Sequence, residues 1–161
     1  MKPTPFLLLT ILLTGFYAGT GFFGLMGANP ALSKMSSSTF AEYWQHLDHY
    51  MAARMRIFGP ILLLTVIISV LLHLRAWQSP AFWFLVAALL ILVADVIVAF
   101  TINVPLNKLI QSWNLKNLPS DVQEVKYRVV TAFNYRSCFM IACFVCVLMS
   151  LFFTSRSASN I

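Results

Sequence analysis

The segment DVIVAFTINVPLNK, residues 95–108, is the most informative part of the sequence, because it interrupts an apolar run with a carboxylate and then with a proline. A carboxylate inside a membrane helix is costly, usually faces the interior or a cavity, and marks a functional site by default. Pro105 has no backbone N–H to donate and its ring clashes with the carbonyl of Thr101, which predicts a break between Asn103 and Asn107. The segment therefore predicts one wall of a polar site at the end of a membrane span.

The composition indicates an integral membrane protein. Of the 161 residues, 60% are hydrophobic and 10% are charged, whereas soluble domains carry roughly 25% charged residues. The net charge of +6 comes without a basic run interleaved with aromatic residues, which argues for the lipid bilayer and against nucleic acid as a partner. The apolar stretch from Phe6 to Phe23 is longer than the core of a signal peptide, so it is predicted to be a retained span.

The hydropathy pattern predicts one domain, residues 1–161, with spans at about 5–27, 57–75, 81–102 and 133–154. Capping-box patterns at Thr39–Glu42 and Ser120–Gln123 begin the second and fourth helices, which are too long for one crossing and extend beyond the bilayer on the same side. A loop is expected over residues 28–38. The predicted fold class is all-α, an up-down four-helix bundle in the membrane. The distribution of basic residues favours a cytoplasmic overhang, and we expect a multi-pass protein of a bacterial inner (plasma) membrane.

The second half of the first span is rich in glycine. Gly15 and Gly19 have the small-xxx-small spacing that lets a neighbouring helix approach closely, and the alternative is a bare backbone wall lining a ligand cavity. Tyr17 lies between them and is predicted to reach the polar site. The cysteines Cys138, Cys143 and Cys146 all lie in the last apolar run, where we expect them to be packing residues.

A polar stripe is predicted on the second helix, because Glu42, His46, His49 and Arg56 fall on one helical face. A Glu and two His can converge on a metal ion, or the histidines can act as acid and base, since imidazole exchanges a proton near neutral pH. The alternative is a solvated, ion-paired helix face. Arg56 is the predicted partner of Asp95, because an unpaired charge inside the bundle is costly. There are two other interpretations of Asp95. It is protonated and donates a hydrogen bond, or it is a structural anchor between helices.

The bundle topology brings polar residues of all four helices to the same membrane face. The predicted substrate-binding set is Tyr17, Asp95, Asn103, Asn107, Asn134 and Arg136. Arg136 points about 200° away from Asn134 on the fourth helix, so extension towards the lipid headgroups is its alternative role.

Four sequence elements together resemble a known family. They are the Gly-rich first span with Gly15-x-x-x-Gly19 and FFG at 22–24, the His-bearing second helix, TINVPLN at 101–107 and FNYR at 133–136. The chain resembles the anthrone oxygenase-like membrane proteins over most of its length. Members linked to polyketide pathways oxidise anthrones to anthraquinones with molecular oxygen. The resemblance implies an oxygen-dependent oxidation of a phenolic or quinone-like molecule.

Two classes of function follow from these patterns. In the enzyme hypothesis, His46 or His49 removes a proton from a hydrophobic substrate, Arg56 or Asn103 stabilises the resulting oxyanion, and Glu42 orients a histidine. In the other, the chain is a non-catalytic membrane module that binds a lipid, a small molecule or a metal, or is a helper subunit. The sequence leaves open whether the protein uses no cofactor or a metal ion at the histidine pair. It also leaves open whether the chain forms a homo-oligomer.

Overall fold

The computed structural model describes residues 5–159, with side chains described for residues 5–155. Among these residues, four stretches are long and apolar enough to cross a membrane, namely Pro5–Lys34, Ser37–Leu72, Pro80–Gln111 and Val122–Ser155. The described residues form helices and short connections without a strand. The predicted all-α, four-helix membrane fold is confirmed, and the chain is an integral multi-pass membrane protein.

Two of the four stretches contain a wide, π-helical turn between two α-helices. In chain order, the elements are α1 (Pro5–Phe23), a wide turn (Gly24–Ala28), α2 (Asn29–Lys34), α3 (Ser37–Leu72), a 3-10 turn (Leu74–Ala76), α4 (Pro80–Val98), a second wide turn (Ala99–Asn103), α5 (Val104–Gln111) and α6 (Val122–Ser159). The loop predicted for 28–38 and the break predicted at Pro105 are therefore wrong, because the backbone stays helical through most of both regions.

Serine side chains begin two of the helices. The Ser36 hydroxyl accepts a hydrogen bond from the backbone N–H of Thr39 at 3.2 Å, so Ser36 is the N-cap of α3. The predicted capping box lies three residues too late, and Glu42 is exposed within the helix. Ser79 caps α4 in the same way by accepting from the N–H of Phe82 at 3.3 Å.

Each wide turn is followed by one C-cap residue and then by a proline. The C-cap residues are Asn29 and Val104, and the prolines are Pro30 and Pro105. The closing hydrogen bonds span five residues, from the N–H of Asn29 to the carbonyl of Gly24 and from the N–H of Val104 to the carbonyl of Ala99. In a regular helix, Pro30 and Pro105 would each press on the carbonyl four residues earlier. The wide turn accommodates the proline by holding one extra residue, so the helix continues instead of breaking.

The extra residue changes the face on which the following side chains lie. Asn103 follows Asp95 by eight residues, which in a regular helix would turn it roughly 80° away. Because the wide turn absorbs one residue, the separation falls to within roughly 30°. The first wide turn acts in the same way between Tyr17 and Asn29, and all four side chains are buried. The wide turns therefore keep both asparagines on the interior side of their helices.

The fourth apolar stretch is central to the packing. α6 packs extensively against α4 and α1, whereas α3 contacts α1 and α4 more sparsely, so α1 and α4 lie diagonally across the bundle. Buried apolar side chains form one cluster within the spans and a second one at the overhanging end. Representative members are Leu62, Leu85 and Val147 in the first cluster, and Phe40, Trp44 and Val129 in the second. Large apolar side chains such as Phe16, Leu64 and Leu90 are exposed, as expected of a surface that faces lipid.

Glycines allow α1 to approach α6 closely. A Cβ atom on Gly24 would lie 2.9 Å from Ser137 Oγ, and one on Gly21 would lie 3.0 Å from the Ser137 carbonyl oxygen. Of the predicted pair, Gly15 would bring a Cβ within 3.3 Å of an aromatic ring of α6, whereas Gly19 would meet nothing within 4 Å. The closest contact between the first stretch and α6 therefore lies at Gly21 and Gly24, beyond the predicted pair Gly15 and Gly19.

Candidate active site

Three polar side chains from three helices meet in the middle of the bundle. Arg136 of α6 donates from Nε to Asp95 Oδ1 at 2.8 Å and from Nη2 to Asp95 Oδ2 at 3.3 Å. Tyr17 of α1 donates its hydroxyl proton to Asp95 Oδ2 and accepts a hydrogen bond from Arg136 Nη2 at 3.0 Å. Because α1 and α4 are diagonal, the bond between Tyr17 and Asp95 crosses the centre of the bundle. We call these three residues the central cluster.

The central cluster is largely enclosed by protein. Asp95 is 1% exposed and Tyr17 is 6% exposed, while the Arg136 side chain is 11% exposed. The Phe58 and Tyr17 ring centroids are 6.2 Å apart, and Arg136 Cζ lies 5.5 Å from the centroid of the Phe133 ring. Charges attract strongly in such a low-dielectric setting, and removal of one leaves the other costly to bury. The carboxylate and the guanidinium therefore balance each other as a neutral unit within the membrane.

Arg136 is the partner of Asp95, and the predicted partner Arg56 is not. Arg56 is exposed on α3, because its neighbours Met55 and Phe58 occupy the side of the helix that packs on the membrane core. The alternative in which Arg136 extends to the lipid headgroups is also wrong, because its guanidinium turns inward to three hydrogen bonds.

The two asparagines beside the wide turns differ in their hydrogen bonding. Asn29 Nδ2 donates to Asn134 Oδ1 on α6 at 2.8 Å, which gives the predicted residue Asn134 a partner on the first membrane stretch. Asn103 is 2% exposed, and among the described residues neither its amide nitrogen nor its amide oxygen has a hydrogen-bond partner. More than about 90% of buried polar groups are paired, so this amide is an exception.

Asn107 lies one helical turn beyond Asn103 and joins α5 to α3. Its Oδ1 accepts from Trp44 Nε1 at 3.1 Å, and its Nδ2 donates to Asp48 Oδ1. Gln111 Nε2 donates to the other Asp48 oxygen at 3.3 Å. This junction fixes which side of α3 faces the bundle at the overhanging end.

The predicted polar stripe lies on the other side of α3. Glu42, His46, His49 and Arg56 are all exposed, and the structure does not bring them to Asp95. Within residues 5–155, no group of three or more His, Cys, Asp and Glu side chains is arranged to hold a metal ion. The metal set Glu42, His46 and His49 therefore stays a prediction, and so does its alternative, a solvated helix face.

Three buried or half-buried polar residues are absent from the site predicted from the sequence, namely Asn29, Asp48 and His73. Asn29 lies directly before Pro30, and Asn103 lies two residues before Pro105. The shared Asn and Pro pattern is a sequence signal that could have marked Asn29 as a second buried asparagine. Asp48 is half-buried and lies off the histidine stripe, and that position directs its carboxylate to Asn107 and Gln111. His73 is 1% exposed at the opposite end of the bundle, where its Nδ1 donates to the Ser69 carbonyl at 2.8 Å. No sequence pattern marked it, since it lies at the end of an apolar run.

Comparison with known proteins gives one family match. The model of the family described as anthrone oxygenase matches residues 44–146, which is more than half of the chain. The matched range includes Asp95, Asn103 and Arg136 and leaves Tyr17 outside it. No curated protein and no solved structure matches the chain. The protein therefore belongs to the anthrone oxygenase family.

Proposed function

We propose that the protein is an oxygenase of a bacterial plasma membrane that oxidises a phenolic or quinone-like aromatic molecule with molecular oxygen. The observation that carries the proposal is a buried, charge-balanced cluster of Tyr17, Asp95 and Arg136 inside the membrane bundle of an anthrone oxygenase family member. An ionisable group in a membrane segment is a functional-site hypothesis by default. An apolar aromatic substrate reaches such a site from the lipid.

The reaction that the family name implies begins with loss of a proton. An anthrone carries one CH₂ group opposite its carbonyl in the central ring, and deprotonation there gives an aromatic phenolate-like anion. That anion transfers electrons to molecular oxygen and forms a carbon–oxygen bond. Loss of water from the resulting hydroperoxide gives the quinone carbonyl, so one oxygen atom enters the product and the other leaves as water.

The central cluster has the groups that the first step needs. The Tyr17 oxygen takes the substrate proton while its own proton moves to Asp95 Oδ2, along the hydrogen bond that already joins them. Neutralisation of Asp95 frees the charge of Arg136, which then stabilises the substrate oxyanion. Net charge in the membrane is unchanged, because the negative charge moves from Asp95 to the substrate. Arg136 is the most exposed of the three side chains, at 11%, so its guanidinium contacts the substrate oxygen while the Tyr17 oxygen contacts the CH₂ group.

The exposed histidine pair is the rival base, as proposed from the sequence. His46 and His49 lie in the part of α3 that precedes its apolar run, on the side away from the junction with α5. If either were the base, the double variant His46→Gln/His49→Gln would lose turnover. Under the present proposal, that double variant keeps turnover, and Tyr17→Phe and Arg136→Met lose it.

The test uses the full chain purified into lipid nanodiscs, with anthrone as the probe. Formation of anthraquinone is followed by absorbance and oxygen consumption by electrode, against empty nanodiscs because anthrone also oxidises on its own. We expect acceleration over that background, one oxygen consumed per anthraquinone, and one ¹⁸O atom in the product from ¹⁸O₂. Binding of anthrone without acceleration would favour the non-catalytic module instead. Elemental analysis of the same preparation tests the metal alternative.

A further inference from the structure

We propose that a cavity beside Lys126 binds a phosphate group at the membrane surface, carried by a lipid or free in solution. The cavity has a volume of about 200 Å³ and lies between α2 and the first part of α6, and it is lined by Ser33, Gln123, Lys126, Tyr127 and Val130. Lys126 is ten residues nearer the overhanging end of α6 than Arg136, roughly 15 Å along the helix axis. The site is therefore separate from the central cluster, and it does not depend on the proposed reaction.

The buried charge of Lys126 is the starting point. Its side chain is 7% exposed, and Nζ donates to the carbonyl oxygen of Met35 at 2.8 Å. An ammonium group has three N–H donors. Within residues 5–155, the other two N–H groups have no hydrogen-bond partner and no carboxylate forms an ion pair with Lys126. A buried charge without a partner of opposite sign is costly.

The contact with Met35 accounts for one donor but not for the charge. Met35 is the C-cap residue of α2, and a lysine commonly donates to a carbonyl at the end of a helix. That carbonyl needs a hydrogen-bond donor and would accept equally well from a neutral one. The positive charge therefore indicates a further partner, and the cavity that Lys126 lines is the place for an anion.

The other lining residues favour an anion with several acceptor oxygens. Within residues 5–155, no acidic side chain lines the cavity. Gln123 Nε2 donates one N–H to Ser37 Oγ at 2.7 Å and has a second to offer. The hydroxyl of Tyr127 adds another donor. A phosphate group has acceptor oxygens for all of these donors together with Lys126, and lysine is a common phosphate ligand.

The level of the cavity is that of the lipid headgroups. Ser33 adjoins Lys34, the last residue of the first membrane stretch. Tyr127 is 71% exposed, and tyrosine is enriched at the boundary between membrane and water. Val130 lies one helical turn from Lys126 towards the apolar part of α6, so the cavity is polar at its outer end and apolar towards the bilayer. A phospholipid has its phosphate and its acyl chains in the same order, which favours the lipid as the source.

The experiment counts the lipids bound to the full chain by native mass spectrometry in a neutral, phosphate-free detergent. The probes are dioctanoyl phosphatidylglycerol and dioctanoylglycerol, which have the same acyl chains and differ in the phosphate headgroup. We expect the wild type to bind the first probe about tenfold more tightly, as a hydrogen bond to a charged group provides. Lys126→Met should lose this preference. The matched control Arg128→Met removes an exposed cation from the same helix and should keep it.

A second variant tests the cavity without changing Lys126. Ser33→Trp places an indole ring on the exposed wall of the cavity and leaves the hydrogen bond from Lys126 to Met35 in place, so it should also lose the preference. Excess inorganic phosphate distinguishes the two sources. Displacement of the bound lipid would assign the site to free phosphate, and retention of the lipid would assign it to the lipid headgroup.

Three results would overturn the proposal. The first is equal binding of the two probes by the wild type. The second is a preference that survives in Lys126→Met or in Ser33→Trp, because the lipid would then bind elsewhere. The third is an equal loss of preference in Lys126→Met and Arg128→Met, because the net positive charge of the chain would then attract the lipid without a specific site.

Discussion

Replacement of Arg136 by methionine tests whether the central cluster is a neutral unit. Methionine keeps most of the apolar stem and removes the guanidinium, so three hydrogen bonds are lost, two to Asp95 and one to Tyr17. Asp95 is 1% exposed and would keep only the Tyr17 hydroxyl as a partner. Removal of one member of a buried ion pair costs about 3–5 kcal/mol, because the remaining charge stays uncompensated.

The double variant Asp95→Leu/Arg136→Met provides the internal comparison. It removes both charges, so the remaining loss comes from the buried hydroxyl of Tyr17 and amounts to about 1–3 kcal/mol. The single variant should therefore be less stable than the double variant, which is the reverse of additive behaviour. Arg128 is exposed on the same helix, and Arg128→Met should change stability by less than about 0.5 kcal/mol.

Unfolding would be measured in mixed micelles by titration with sodium dodecyl sulfate, with circular dichroism and tryptophan fluorescence as two independent probes of one transition. A free energy of unfolding for Arg136→Met within about 1 kcal/mol of the wild type would refute the argument. So would a double variant that is destabilised by the sum of the single substitutions, since independent side chains behave in that way.

Two further predictions concern the first span. Tyr17→Phe removes the proton link to Asp95 and should lower anthrone turnover by about a hundredfold or more while anthrone still binds. Unchanged turnover would exclude Tyr17 from proton transfer. Gly21→Ala would bring a Cβ within 3.0 Å of the Ser137 carbonyl oxygen, a backbone atom that a side-chain rotation cannot move, and should cost about 1–3 kcal/mol of unfolding free energy. Gly19→Ala, with nothing within 4 Å, should be neutral or stabilising, and equal losses for both glycines would contradict the close packing of α1 on α6.

Hydropathy and helix length were sufficient to predict the fold, because four long apolar stretches with short connections leave few arrangements other than an up-down bundle. Asp95 could be singled out for the same reason, since a carboxylate in an apolar run is conspicuous. Its partner was not predictable from helix length and depth alone. Arg56 and Arg136 both lie near the boundary of an apolar run, and the choice between them depends on which side of each helix meets the bundle.

The site was harder to predict because rotation along a helix accumulates. A projection at a constant angle per residue turns Asn103 away from Asp95, and only the wide turn corrects it. At the overhanging end, the sequence pattern predicts that the polar stripe with His46 and His49 faces inward. Outside the hydrocarbon layer water is again the surrounding solvent, so the apolar side with Trp44 packs inward and the polar stripe faces out.

The wide turns also have a consequence for how this chain can vary in length. A regular helix cannot lose one residue without rotating everything beyond the deletion by roughly 100°. A turn that already holds one residue more than its neighbours can lose that residue and close into a regular turn, with the two flanking segments still in phase. A regular turn would again clash with Pro30 or Pro105, so a single codon could leave residues 24–28 or 99–103 with the interior face of the helix preserved where that proline is also replaced. In related chains, differences of one residue should concentrate in these two short segments.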